Sequence, residues 1–197
     1  GSLAQGQDKR SIASTRQYHT PPPLPIVSPQ ANMLGWFNSR GIPASVIERR
    51  KIVAAKVYMP QDEDEITGIA FPYFRDGAHV NTKYRDAHKH FCMASKCELL
   101  LYGMDDIQGD RLCIVEGELD ALACEVAGIV SVVSVPNGAP DLKAKNFVSH
   151  FDYLLSAENI LRPIRKMILA VDNDAPGYKL AEELARRLGQ ERCWRAT

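Results

Sequence analysis

Residues 112–120 read LCIVEGELD, and this stretch decides the fold that the sequence predicts. The apolar run from Leu112 to Val115 predicts a short buried strand. After Gly117, apolar residues recur at helical spacing and predict an amphipathic helix (Leu119, Leu122, Ala123, Val126). A strand that passes directly into a helix is typical of a parallel α/β sheet.

The residues that follow repeat this alternation. Two β-branched runs, 129–135 and 167–171, predict further strands, and 193–196 begins a fourth. Between the last two lies an amphipathic helix over 180–188, which Gly189 ends. We therefore predict an α/β fold with a Rossmann-like parallel sheet over 111–197. Ligand sites in such sheets lie at the carboxyl ends of the strands.

The residues before this sheet have a different character. The proline-rich residues 1–28 predict a flexible linker or tag. Residues 29–110 predict a smaller α+β subdomain. It has two short helices on either side of residues 41–43 and a β-hairpin around Asp76-Gly77.

The composition excludes several classes of protein. Lys and Arg together number 24, as do Asp and Glu, which excludes a chain that is basic overall but not a local nucleic-acid patch. No apolar run approaches the roughly 18 residues that a membrane span needs, so we expect no membrane partner. Five cysteines are sparse and odd in number, which argues against a disulfide framework.

Acidic residues follow two of the predicted strands. Glu116 and Asp120 come after the first, and Asp172 and Asp174 after the third. If these strands are neighbours, the carboxylates meet at one edge of the sheet, where oxygen ligands suit Mg²⁺ or Mn²⁺. Gly117 lets the backbone turn sharply there. The alternative is that each acid only caps a helix, which is common for a single acidic residue after a strand.

Two other segments have features of a phosphate or nucleotide site. The turn over 136–140, with Asn137 and Gly138, leaves the middle strand at the same edge and could offer backbone N–H groups. On the basic strand, Lys83 and Arg85 face the same way, and Lys89 follows in the next turn. Three cations suit a polyphosphate substrate. The alternative for them is a solvated charged strand.

Two other kinds of site fit the sequence less well. The histidines and cysteines between residues 88 and 97 match no standard zinc spacing, so we treat them as ordinary residues. No P-loop motif and no G-x-G-x-x-G motif is present.

The motifs together resemble a known family. Residues 114–120 (IVEGELD) and 170–177 (AVDNDAPG) resemble the TOPRIM domain, which bacterial-type primases, topoisomerases and some nucleases share. Residues 83–89 resemble the basic motif of the RNA polymerase domain in T7-like primase-helicases. Residues 133–140 and 185–195 resemble plant-type, Twinkle-like organellar primase-helicases.

The resemblance implies a DNA primase module that makes short RNA primers on single-stranded DNA. The 3′-hydroxyl of one ribonucleotide attacks the α-phosphate of the next, and pyrophosphate leaves. Glu116, Asp172 and Asp174 are implied as ligands of two Mg²⁺ or Mn²⁺ ions, and Asp120 as a supporting residue. Lys83 and Lys89, with Arg85 assisting, are implied to contact the ribonucleoside triphosphate or the template.

The resemblance also implies a longer protein. Family members carry a zinc-binding module before this segment and a helicase domain after it, and a further acidic motif follows the fourth strand. We therefore expect this chain to be an excised, C-terminally truncated module, with a mitochondrial or plastid leader outside it. The alternatives are a non-catalytic module that binds single-stranded DNA beside a helicase, and a TOPRIM nuclease or topoisomerase part.

Overall fold

The computed structural model describes residues 17–28, 30–143 and 149–196. The helices are α1 Ala31–Asn38, α2 Ala44–Arg49, α3 Glu118–Val126, α4 Tyr153–Leu161 and α5 Ala175–Leu188. The strands are β1 Val53–Met59, β2 Asp64–Arg75, β3 Ala78–Arg85, β4 Phe91–Met93, β5 Arg111–Val115, β6 Val132–Ser134, β7 Lys166–Ala170 and β8 Cys193–Arg195. Short 3-10 turns cover Met104–Asp106, Ser149–Phe151 and Gln190–Arg192.

The second half of the chain forms a parallel four-stranded sheet in the order β6-β5-β7-β8. The predicted α/β fold class is therefore confirmed. Strands β5 and β7 are neighbours, and their last residues, Val115 and Ala170, are paired. Because parallel strands in register end at the same edge, the residues that follow β5 and β7 leave the sheet side by side.

The first half of the chain forms an antiparallel sheet in the order β1-β2-β3-β4. The predicted turn at Asp76-Gly77 joins β2 to β3, and both residues have positive φ, as such a tight turn requires. Their backbone N–H groups donate to Asp105 at 2.9 and 2.8 Å. The acidic residues 62–65 lie at the turn between β1 and β2, where Asp64 pairs with Met59, and all four are exposed.

The two sheets share one hydrophobic core. Phe71 and Tyr73 of β2 pack edge-on against Tyr102, with ring centroids 6.2 and 5.2 Å apart, and the same buried cluster includes Leu112 and Ile114 of β5. Aromatic pairs at these distances add to the stabilisation that burial provides. This shared core places the end of β3 beside the carboxyl edge of the parallel sheet.

Part of the predicted linker lies along the antiparallel sheet. Ile26 forms an isolated bridge with Ala55, and the Val27 N–H donates to the Ala54 carbonyl at 2.9 Å. The earlier part of that linker, residues 1–16, lies outside the described residues. The limits predicted for the two domains, at 29–110 and 111–197, stay predictions. In the part of the chain that the structure describes, no helix is long and apolar enough to cross a bilayer.

Candidate active site

Glu116 is the first residue after β5, and its carboxylate lies at the centre of the carboxyl edge. Oε1 accepts a hydrogen bond from the Ala139 N–H at 3.2 Å, and Oε2 accepts one from the Asp172 N–H at 3.4 Å. Glu116 thus contacts the segments that leave both neighbouring strands, β6 and β7. The spatial arrangement predicted from the sequence, with Glu116 beside Asp172, is present in the structure.

Asp172 and Asp174 lie in the short connection between β7 and α5. Asp174 is the N-cap of α5, and its Oδ1 accepts from the Gly177 N–H at 2.8 Å. Asp174 therefore caps a helix, as the alternative interpretation of these acids predicts. The bond uses one carboxylate oxygen and leaves the other available. Asp172 and Asp174 are both exposed.

Asp120 and Gly117 fix the entry of α3. The Asp120 Oδ2 accepts from the Gly117 N–H at 3.0 Å, so the carboxylate closes the first turn of the helix. Burial raises the pKa of Asp120, as do the nearby charges of Asp172 and Glu118. Asp120 thus supports the turn that carries Glu116 and adds a negative charge to the edge.

The electrostatics of this edge favour a cation. Burial raises the pKa of Glu116 above its usual range, the charges of Asp172 and Asp174 act in the same direction, and the two backbone N–H bonds oppose them. Like charges this close repel each other until a cation neutralises them. Because the donors are carboxylate oxygens on a partly exposed edge, they fit a hydrated Mg²⁺ or Mn²⁺.

The turn after β6 closes one side of the site. The Ala139 N–H is used by Glu116, the Asn137 Nδ2 donates to the His150 carbonyl at 3.3 Å, and the Gly138 carbonyl lies 3.1 Å from the His150 Nε2. Gly138 has a φ of +63°, a conformation that favours glycine. The turn is therefore held in place from both sides, and it lines the same cavity as Glu116.

Lys83 reaches this cavity from the antiparallel sheet. The cavity has a volume of about 570 Å³, and Glu116, Asp120, Asp172 and the 136–139 turn share its wall with Lys83. The ammonium donates to both carboxylate oxygens of Glu118, at 3.0 and 3.1 Å. Lys83 is thus the member of the predicted basic set that the described fold brings to the carboxylates.

Arg85 and Lys89 lie elsewhere. Arg85 is buried, with its guanidinium 4.8 Å from the centroid of the Trp36 ring, and it lines a separate cavity of about 560 Å³ beside Trp36 and Gly68. Burial and the charge of Arg40 lower the pKa of Arg85. Lys89 is exposed in the turn before β4 and has a φ of +69°. The residues described as lining the acidic cavity include neither of them.

Sequence reasoning assigned no role to two residues that lie at this edge. Glu118, the first residue of α3, is buried and pairs with Lys83. A glutamate in the first turn of a helix is usually exposed, so the sequence carried no signal of its burial. Arg195 at the end of β8 donates to the Asp172 carbonyl at 3.1 Å and stacks 3.5 Å from the centroid of the Tyr178 ring. It braces the backbone that carries Asp172.

A second group of possible metal ligands lies in the turn before β4. The His90 Nδ1 is 2.9 Å from an oxygen of the buried Asp86 and 3.2 Å from one of Asp62. Asp86 also accepts from the His90 N–H at 2.7 Å. This backbone hydrogen bond stabilises the turn that carries Lys89.

Comparisons with known proteins agree with this geometry. The Toprim domain family matches residues 110–197, which include the parallel sheet and all of its acidic residues. Residues 110–197 are therefore similar to a Toprim domain. The parallel strand order β6-β5-β7-β8 is consistent with the Toprim fold.

The similarity extends beyond the Toprim domain. The chain is 40% identical over 166 residues to the primase homolog protein of Arabidopsis thaliana, which covers 81% of this chain and 48% of that protein. It is 38% identical over 167 residues to the chloroplastic/mitochondrial Twinkle homolog protein of the same plant, covering 81% and 23% respectively. The chain therefore spans about half or less of the length of these relatives.

A solved structure shows the same fold over both sheets. The primase fragment of the bacteriophage T7 primase-helicase protein superposes with a TM-score of 0.65 at 24% identity. The match covers 81% of this chain and 62% of that one. At this level of identity the likeness concerns the fold, which combines the Toprim domain with the antiparallel sheet before it.

Proposed function

We propose that this chain is the RNA polymerase module of a DNA primase, which joins ribonucleotides on a single-stranded DNA template. The observation that carries the proposal is the meeting of two groups in one cavity. The carboxylates of Glu116 and Asp172 come from the Toprim domain, and the Lys83 ammonium comes from the antiparallel sheet. A topoisomerase or nuclease function would explain the carboxylates but would give no role to the basic residues of β3.

Each side chain has a stated part in this proposal. Glu116, Asp172 and Asp174 hold two Mg²⁺ or Mn²⁺ ions, and Asp120 supports the turn that positions Glu116. When bound, the ions supply neutralising charge for the triphosphate and lower the pKa of the attacking 3′-hydroxyl. Lys83, paired with Glu118, forms part of the cavity wall.

Other residues are assigned to the nucleotide and the template. Asn137 and Gly138 border the nucleotide, and Lys89 contacts the phosphates of the nucleotide or the template strand. Arg85 lies beside Trp36, where an aromatic ring and a guanidinium provide a stacking surface for a base of single-stranded DNA. The likeness to the T7 primase-helicase protein supports a helicase domain as the partner in the same chain. The name of the Twinkle homolog supports a mitochondrial or plastid location.

Primer synthesis by the intact protein that contains this chain tests the proposal. With a single-stranded template, ribonucleoside triphosphates and Mg²⁺ or Mn²⁺, we expect short oligoribonucleotides, and Asp172→Asn should reduce their yield at least about a hundredfold. Asp110→Asn is the matched control. Its carboxylate pairs with Arg165 at the opposite end of β5 and should leave synthesis unchanged.

Two results would contradict the proposal in different ways. Full primer synthesis by Asp172→Asn would show that the proposed metal-binding carboxylate is not needed for catalysis. Salt-dependent binding of single-stranded DNA without any synthesis, indifferent to Glu116→Gln, would instead identify a non-catalytic module of a replicative helicase.

A further inference from the structure

The ion pair between Lys83 and Glu118 is unusually complete. The ammonium has three N–H donors, and three oxygens surround it: both carboxylate oxygens of Glu118 and the Pro136 carbonyl at 2.9 Å. The two charged side chains are only 11% and 5% exposed. Lys83 is therefore neutralised and fully bonded before any ligand enters the cavity.

Glu118 is itself held by two features of the fold. The hydroxyl of Tyr73, which is completely buried in the shared core, donates to Glu118 Oε1. Glu118 is also the first residue of α3, where the helix N-terminus favours a negative charge. The carboxylate therefore cannot rotate away from Lys83 without breaking a buried hydrogen bond.

The position of this pair matters because of its neighbours. Lys83 shares the cavity wall with Glu116, Asp120 and Asp172, yet in the described structure its ammonium forms an ion pair with none of them. A lysine has a flexible four-carbon stem and a compact charge. Without a fixed partner, the ammonium would turn to the unneutralised carboxylates and compete there with a metal ion.

We propose that Glu118 is a positioning residue, which restrains the Lys83 ammonium so that Glu116 and Asp172 stay free to bind divalent ions. The inference rests on the proposed function, because it takes these carboxylates as the ion ligands. It assigns Glu118 no direct contact with the ion, and it makes the antiparallel sheet, through Lys83 and Tyr73, part of what sets the metal affinity of the Toprim domain.

Titration of Mn²⁺ into the protein, followed by calorimetry and by electron paramagnetic resonance, tests the inference without measuring activity. Glu118→Gln keeps the shape of the side chain but releases Lys83, and it should weaken Mn²⁺ binding by about tenfold or more. The double variant Lys83→Met with Glu118→Gln removes the competing ammonium and should restore affinity to within a few-fold of the unaltered protein.

The outcomes separate this inference from the proposed function. If the unaltered protein takes up no Mn²⁺, both are wrong. If it binds Mn²⁺ but Glu118→Gln binds it equally well, only the inference is wrong. If the double variant stays as weak as Glu118→Gln, Glu118 acts as a ligand or as a purely structural residue, and the inference is again overturned.

A measurement on the unaltered protein covers the case in which Glu118→Gln fails to fold. Lys83 should react with an amine-acetylating reagent much more slowly than the exposed Lys89, and equally slowly with and without Mn²⁺. If Lys83 instead rests on Glu116 or Asp172 in the absence of metal, Mn²⁺ will displace it and raise its labelling several-fold. That rise would overturn the inference.

Discussion

Gly177, in the first turn of α5, packs against the backbone of Asp172, and the substitution Gly177→Ala tests how tightly the two are joined. A Cβ at position 177 would lie 2.8 Å from the Asp172 carbonyl carbon and 3.1 Å from its nitrogen, and closer still to its carbonyl oxygen. Ordinary contacts begin at 3.4 Å. Because the neighbour is backbone, either α5 or the turn that carries Asp172 must move.

The expected cost follows from this overlap. Forcing a methyl group into a packed site costs about 1–3 kcal/mol, and replacing a helical glycine by alanine recovers roughly 0.5–1 kcal/mol. The free energy of unfolding should therefore fall by about 1–2 kcal/mol. Gly35→Ala, in α1, is the matched control. No atom lies within 4 Å of a Cβ there, so this variant should gain roughly 0.5–1 kcal/mol.

Urea denaturation followed by circular dichroism measures both variants, and a Mn²⁺ titration measures the effect on the site. We expect Gly177→Ala to lose Mn²⁺ affinity in addition to stability, because the displaced turn carries Asp172. Gly35→Ala should bind as the unaltered protein does. The reasoning is refuted if Gly177→Ala proves as stable as Gly35→Ala, or if it is destabilised while Mn²⁺ affinity is unchanged.

Three further predictions concern stability and are checked by the same urea denaturation. A side-chain hydrogen bond from Arg187 is the main cause that lowers the pKa of Glu183 to about 2. The ionised Glu183 carboxylate stabilises the fold above the usual carboxyl pKa, and this contribution is lost as the pH falls towards 2. Between about pH 5 and pH 2, the free energy of unfolding should therefore fall by roughly 1 kcal/mol more in the unaltered protein than in Glu183→Gln, after allowance for solvent screening. Arg50→Met removes the buried partner of Asp106 and Glu125, which keep only the half-exposed Arg49, and should cost about 2 kcal/mol. Arg162→Met, from an ion pair whose side chains are about 70% exposed, should change stability by under about 0.5 kcal/mol, and equal costs would contradict this. Asp174→Ala should cost about 1 kcal/mol by removing the cap of α5, while Asp174→Asn keeps the cap and should be nearly neutral.

Much of the parallel sheet could be predicted from the sequence, because its signals are local. The apolar spacing of α3 and α5 and the short apolar runs of β5 and β7 each lie within one window of the chain, and all are confirmed. The strand expected over 129–135 is shorter, Val132–Ser134, because the Ile129 N–H bonds back to Cys124 and closes the end of α3.

One helix was missed although its signal was present. Leu154, Ala157 and Leu161 recur at helical spacing and form the buried face of α4. Asp152, at the N-cap of α4, is a residue type that often precedes a helix, so the start of this helix was also visible in the sequence.

The arrangement of the site was predictable only in part. Glu116 and Asp172 could be placed together because both follow strands of one sheet. Lys83 lies in the antiparallel sheet and Glu118 lies 35 positions later at the start of α3, and their contact depends on how the two halves of the chain share a core, which periodicity does not encode. Arg85 faces the same way as Lys83, since both cations lie over the Phe91 ring, but its guanidinium packs on Trp36 and lines a neighbouring cavity.

The carboxylates of the candidate site follow directly upon the most protected part of the molecule. Val115 and Val171, which precede Glu116 and Asp172, are 1% and 9% exposed and belong to the shared core. No long loop lies between these core residues and the acids, so local fluctuations of the surface change the spacing of the carboxylates little. The amide hydrogens of Glu116 and Asp172 should exchange with solvent nearly as slowly as those of the central strands. On heating, the arrangement of the carboxylates should be lost in the same cooperative transition that unfolds the protein.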